Sequence, residues 1–393
     1  MQSFVQYTPT EIVFGKDTEQ KVGAEVKKWG GSRVVIVYGG GSVVRSGLLD
    51  KVKKSLEAEN IAYMEFGGAQ PNPRLAHAEE GVKLAIDFGA DLILAIGGGS
   101  TIDTAKGIAH GAANPDTWIW DFWMHKKDLT KSLPVGVVLT ISAAGSETSD
   151  SAVLTNTEIG LKCGLSTEFN RPKFAIMNPE LTYSLPKYQV CCGIVDIMMH
   201  TLDRYFTPSE GNRMTDGIAE ALLRTVIAAG KTAFADSTDY DAMSELMWAG
   251  SLSHNGITGL GAVKDFACHQ LGHELSAKYD VAHGASLSAV WGSWARYVYG
   301  EKPERFRQYA EKVWGITEAD PEKAAMLAIE ATEQYFRSLD MPTCFADLKL
   351  GEITDEDLRA MAVNCSRKGG RTIGSFKVMD TEDIYKVYVM CNA

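Results

Sequence analysis

The chain has no CxxC pair, and its cysteines are odd in number, seven in 393 residues. A disulfide scaffold would call for an even, regularly spaced set, and a zinc ribbon or redox motif for CxxC. Cys163, Cys191, Cys192, Cys268, Cys344, Cys365 and Cys391 are therefore expected to be free thiols in a reducing cytoplasm. Positive charge is also scarce: 39 Lys and Arg face 50 Asp and Glu, for a net charge of −11. That balance argues against nucleic acid or an anionic membrane as a partner. No apolar run reaches the length of a membrane span, the longest being broken by Gly, Asp or Lys. The opening MQSFVQYTPTEIVFG has neither a basic nor an apolar leader segment, so no signal peptide is expected. What is present is ordinary globular composition, 45% apolar and 23% charged, in a chain long enough for two domains.

The first half alternates short β-branched runs with helical patterns. Strands are predicted at 33–38, 61–66, 91–97 and 133–140, with short ones near 151–154 and 174–177. Helices are predicted at 43–59, 74–88 and 101–111. This β-α-β order implies a parallel sheet covered by helices. After Pro186 the strand runs vanish, and helical patterns follow one another to 391. The expected fold is thus α/β plus all-α: a Rossmann-like parallel-sheet domain, 1–185, followed by an all-helical domain, 186–393.

Two strands run into the same turn, YGGGS (38–42) and IGGGS (96–100), and each turn precedes a predicted helix. Glycine lets the backbone approach a ligand closely, and a helix start offers free N–H groups and partial positive charge. Such a turn suits a phosphate. Neither turn is GxGxxG or a Walker loop. Ser100 and Asp103 also have the spacing of a capping box. An acid after the first strand would hold a ribose 2′-OH and repel a 2′-phosphate. Here Tyr38 is followed by Gly39, with Arg45 nearby, so NADP(H) is favoured over NAD(H).

The second half carries the metal-ligand types. Asp196 and His200 are spaced i, i+4, as are His269 and His273, and His283 precedes Gly284. One carboxylate and three imidazoles from this group make a four-ligand set, and nitrogen with oxygen suits Zn²⁺ or Fe²⁺ better than Ca²⁺ or Mg²⁺. The pair on 269 and 273 is not HExxH, because Ala277 stands where the second His would be. His77, His110, His125 and His254 show no partner spacing and read as structural. A phosphate-binding half and a metal-binding half suggest a cleft between domains, in which a metal polarises a C–O bond while hydride moves to or from a nicotinamide.

Along nearly its whole length the chain resembles the iron-containing, or group III, alcohol dehydrogenases, most closely their butanol dehydrogenase and broad aldehyde reductase branch. The motifs carrying the resemblance are YGGGS (38–42), GAQPNPR (68–74), IGGGSTIDTAK (96–106), LTISAAGSE (139–147), DIMMH (196–200), HQLGHELSAKYDVAHG (269–284) and GSFKVMDTEDIYKVY (374–388). The resemblance implies a dehydroquinate synthase-like fold, a homodimer, and a primary alcohol or aldehyde as substrate. It implies Asp196, His200, His269 and His283 as metal ligands, and His273 beside the substrate as a proton relay. Gly97, Gly98, Gly99 and Ser100 would hold the pyrophosphate, and Gly39, Gly40 and Ser42 would face the adenosine ribose. Asn72, Asp103, Thr140, Ser142, Ser149 and Lys162 would complete the cofactor site. Many relatives carry Asp at the place of Gly39 and prefer NAD; the glycine form occurs with both cofactors. Three other readings are set against this one: a polyol dehydrogenase or dehydroquinate-synthase-like lyase on the same architecture, a metal hydrolase without a dinucleotide, which would leave both glycine turns without a role, and a non-catalytic metal-binding protein, against which the density of site residues argues.

Overall fold

The computed structural model describes residues 1–392. By contact the chain divides into two units: Tyr7–Leu185, and Met1–Gln6 together with the chain from Pro186 on. A division at 186 alone would place the first six residues with the sheet. They lie instead on the helical unit, where the Gln2 N–H donates to Gly261 O and the Met1 amino group to Glu210 O.

In chain order the first unit contains β1 (Glu11–Phe14), α1 (Val22–Lys28), β2 (Arg33–Tyr38), α2 (Ser42–Arg45), α3 (Leu48–Ala58), β3 (Ala62–Phe66), α4 (Leu75–Phe88), β4 (Leu92–Gly97), α5 (Gly99–Ala113), α6 (Ile119–Trp123), β5 (Val135–Leu139), β6 (Ser151–Asn156), β7 (Leu161–Ser166) and β8 (Phe174–Met177). Six strands form one sheet in the order β1-β8-β5-β4-β2-β3, every neighbouring pair parallel. A sheet covered on both faces needs strands that are apolar throughout, and β4, LILAIG, is buried at every position. Even-numbered Val34, Ile36, Leu94, Ile96, Val138 and Ile176 share one face and pack with Val22, Val26, Leu49, Val52 and Leu56 of α1 and α3. A second cluster gathers Trp120, Phe122 and Trp123 of α6 against Leu154 and Leu165 of the β6–β7 hairpin.

Three details differ from expectation. The predicted helix 43–59 is two helices, because Gly47 takes φ +74, a left-handed conformation that ends one helix and starts the next. Strands β1 and β7 were not expected. The four residues of β1 are too few for a period, and β7, LKCGLS, alternates weakly and carries a Gly. Finally, Ser100 does not cap α5. The helix starts at Gly99 with Gly98 at the cap and no side-chain cap bond, and Asp103 bonds elsewhere.

The second unit is helical: α7 (Lys187–Tyr205), α8 (Arg213–Ala235), α9 (Tyr240–His254), α10 (Ala267–Tyr279), α11 (His283–Val298), α12 (Pro303–Tyr309), which runs into a π segment at Ala310–Trp314, α13 (Pro321–Ser338), α14 (Asp355–Cys365) and α15 (Thr381–Cys391). Buried α7 and α11 form its centre: α7 packs on α8, α9 and α11, and α11 on α10, α13 and α15. An aromatic cluster of Phe206, Trp294, Phe306, Tyr309 and Phe376 fills the core beyond the end of α7. Among the described residues no helix is long and apolar enough to cross a membrane.

Candidate metal and dinucleotide sites

Helix α7 places Asp196 and His200 one turn apart on a single face. Helix α10 contributes His269, and α11 begins at His283. Their donor atoms converge. Asp196 Oδ1 lies 3.4 Å from His200 Nε2, 3.6 Å from His283 Nε2 and 3.8 Å from His269 Nε2. Ligands held at about 2.1 Å around one tetrahedral ion stand about 3.4 Å apart, so the distances from Asp196 to His200 and His269 are near those of a shared ion; His283 lies close to Asp196 but outside the mutually close set of Asp196, His200 and His269. Asp196, His200 and His269 are each only 4% exposed, and they offer ligand atoms all within 4.8 Å of one another. Asp196 Oδ1 and His269 Nε2 are buried without a hydrogen bond, a costly state for polar atoms unless a cation takes their lone pairs.

The electrostatics agree with such an occupant. Burial, reinforced by His254, His269 and Arg204, pushes His200 well below the ordinary histidine value, keeping the neutral form that can ligate. Burial pulls His269 the same way, but its contacts with Asp196 and Asp203 outweigh it and raise the pKa. Two buried carboxylates draw positive charge to this point.

His273 lies at the rim of the cluster, its ring 5.3 Å from that of His283 and 6.4 Å from that of His269. Two neighbours were not anticipated. His254, read as structural, stacks on His200 with ring centroids 3.9 Å apart; a lone histidine in sequence carries no spacing signal. Asp203 bonds His269, and here a signal existed: positions 196, 200 and 203 share one helical face. Asp265 fastens the start of α10, taking the N–H of Ala267 on Oδ1 and those of Ser375 and Phe376 on Oδ2. The motif GSFK (374–377) is thereby tied to the ligand-bearing helix.

In the first unit, β2 pairs with both β3 and β4, so the chain reverses its winding direction across the β2–β4 edge. Ligands of open parallel sheets bind beyond the strand ends at such a reversal. The two glycine turns meet there, since Tyr38 is the register partner of Ile96. A Cβ on Gly98 would lie 2.1 Å from Ile141 Cγ2, so only glycine fits between α5 and the strand β5 exit. Gly40 has open space where a Cβ would go, and Gly41 takes φ +93 beneath the Arg45 guanidinium. With Gly98 as its cap and no side-chain cap bond, α5 leaves its first N–H groups without an intrahelical partner.

The remaining predicted cofactor residues divide into two sets. Thr140 N bonds Gly97 O, which holds it beside the second turn. Asn72, at φ +54, accepts from Lys162 Nζ at 2.9 Å, and Ser142 Oγ is buried without a hydrogen bond. Asp103 and Ser149 instead make internal bonds. Asp103 accepts from Ser146 Oγ at 2.6 Å and Val153 N at 2.9 Å, and Ser149 Oγ pairs with Ser151. Fully buried Lys106 donates to Ser146 Oγ and to the carbonyls of Ser146 and Ser151, and burial lowers its pKa to about 8.

Comparison with known proteins agrees with this geometry. Residues 9–179 match the model of the iron-containing alcohol dehydrogenase family, and 190–391 match that of its C-terminal domain. The chain belongs to the iron-containing alcohol dehydrogenase family. It is 41% identical over 391 residues to NADH-dependent butanol dehydrogenase A of Clostridium acetobutylicum, covering 99% of both chains. It is 36% identical to the NADPH-dependent aldehyde reductase YqhD of Escherichia coli, covering 89% of this chain and 90% of that one. The crystal structure of NADH-dependent butanol dehydrogenase A from Thermotoga maritima superposes with a TM-score of 0.96 at 34% identity, covering 100% of this chain and 99% of that one. This member of the family is a nicotinamide-dependent alcohol dehydrogenase or aldehyde reductase, with its metal at the Asp196, His200 and His269 site.

Proposed function

We propose that the chain interconverts primary alcohols and aldehydes of the butanol and butanal type, chiefly as an aldehyde reductase, and that it uses NADPH. The observation carrying this reading is the convergence of three imidazole Nε2 atoms on Asp196 Oδ1. His283 joins Asp196, His200 and His269 as the fourth ligand of Fe²⁺ or Zn²⁺. A bound divalent ion supplies Lewis acidity at the substrate oxygen, and a bound nicotinamide gives or takes the hydride. His273 holds the proton exchanged with that oxygen. Gly97, Gly98, Gly99 and Ser100 receive the pyrophosphate on the free N–H groups of α5. Gly39, Gly40 and Ser42 receive the adenosine ribose, and Asn72, Asp103, Thr140, Ser142, Ser149 and Lys162 line or shape the remainder. The preference for NADPH rests on Arg45 over the Gly41 turn and on glycine in place of an acid. The resemblance supports a homodimer in the cytoplasm.

The test is the consumption of NADPH, and separately of NADH, by the full chain with butanal, with and without a chelator. Turnover that stops on metal removal and returns with Fe²⁺ or Zn²⁺ is the expected result. A kcat/KM higher with NADH than with NADPH would overturn the cofactor assignment alone. Ester hydrolysis without dinucleotide, and no oxidation of either cofactor, would overturn the whole reading.

A further inference from the structure

Asp203 lies on α7 one turn beyond His200 and is 1% exposed. Its Oδ2 accepts from two groups of His269: ring Nδ1 at 2.5 Å and backbone N at 3.3 Å. A carboxylate oxygen that accepts from Nδ1 keeps a ring proton there, so in the neutral ring Nε2 is the nitrogen with the lone pair. That Nε2 is the atom facing Asp196 Oδ1 in the donor cluster. The Asp203 carbonyl also accepts from Asp265 N at 2.8 Å, which fixes the backbone leading into α10. His200 is held differently: its Nδ1 is buried without a hydrogen bond, and its ring rests against that of His254.

We propose that Asp203 is a positioning residue of the metal centre: it holds the His269 ring by Nδ1 so that Nε2 faces the ion. A histidine ligand oriented by a carboxylate binds metal more tightly, and loss of such a partner costs roughly 10- to 100-fold in affinity. The inference rests on the metal reading above.

The test uses the full metal-free chain titrated with Co²⁺, whose visible absorption reports ligand number and symmetry, together with chelator competition. D203N, nearly isosteric and neutral, is expected to bind Co²⁺ roughly 10- to 100-fold more weakly with a changed spectrum. D203E is expected to recover part of the loss, and the metal-free melting temperature to stay at the wild-type value. Unchanged Co²⁺ affinity and spectrum in D203N overturn the inference. It is equally overturned if D203N lowers the metal-free melting temperature and D203E recovers nothing, because Asp203 would then be a packing group. A wild-type chain that binds no Co²⁺ defeats the metal reading itself.

Discussion

At the scale of single residues, burial decides what each ionisable group does. His110 is fully buried on α5 with Nε2 against Asn170 Oδ1 and Nδ1 against Ser132 Oγ, both at 2.8 Å, and burial lowers its pKa to about 4 from 6.5. Between these two values the unfolded chain binds the proton and the folded chain does not, so stability falls as pH drops through this range. The loss reaches about 3 kcal/mol at pH 4. Urea unfolding at a series of pH values should show that slope, and His110→Gln should flatten it; a slope unchanged in the variant would place its origin elsewhere. Among the metal-site residues, His269→Ala should lose most bound metal and most turnover while circular dichroism stays at the wild-type signal. Full activity in the metal-free variant would defeat the assignment.

Among the elements, α5 does the most. Its first turn lies against the exit of β5, and its middle is locked by Asp103 and Lys106 to the segment carrying Ser146, Val153 and the carbonyl of Ser151. Adding a methyl at Gly98 would place it 2.1 Å from Ile141 Cγ2. Gly98→Ala should therefore cost about 1–3 kcal/mol and raise KM for the dinucleotide, because overpacking shifts the helix start. Adding Ile141→Ala in the same chain should recover a large part of both losses. An unrescued double variant would show that Gly98 matters for its backbone alone. Lys106→Met removes the buried ammonium that lies 3.9 Å from Asp103 Oδ1 and leaves that carboxylate to its bonds from Ser146 and Val153. Equilibrium unfolding should register a loss of about 3–5 kcal/mol, the usual effect of breaking a buried pair from one side.

For the whole molecule, the informative quantity is how metal couples to stability. Asp196, His200 and His269 come from α7 and α10, and the proposed fourth ligand, His283, from α11, so a bound ion should stabilise the helical unit by mass action. Metal at one hundred times its Kd should add about 2.7 kcal/mol, seen as a higher melting temperature that a chelator reverses. A melting curve indifferent to chelator would mean that the helices hold the donors together without an ion. Sedimentation at equilibrium checks the homodimer, for which a mass of one chain would be the contrary result.

By itself the sequence was enough for features of short range. Hydrophobic runs and their period located β2, β4, β5 and β8, and the i, i+4 spacing on α7 aligned Asp196 with His200. Each of these depends on chain geometry over a few residues. The glycine turns could be read as two strand-to-helix turns of one kind, and the resemblance proposed His283 rather than His273 as the fourth ligand. Tertiary structure alone decided which groups meet. Parallel pairing of β2 with β4 set the two glycine turns side by side, and the packing of α10 on α7 brought Asp203 to His269 and Asp265 to the segment at 375–376. Packing also stacked His254 on His200 and turned Asp103 from a helix cap into an internal anchor. Contacts between residues distant along the chain leave no period in a single sequence, because what selects them is the burial of whole faces.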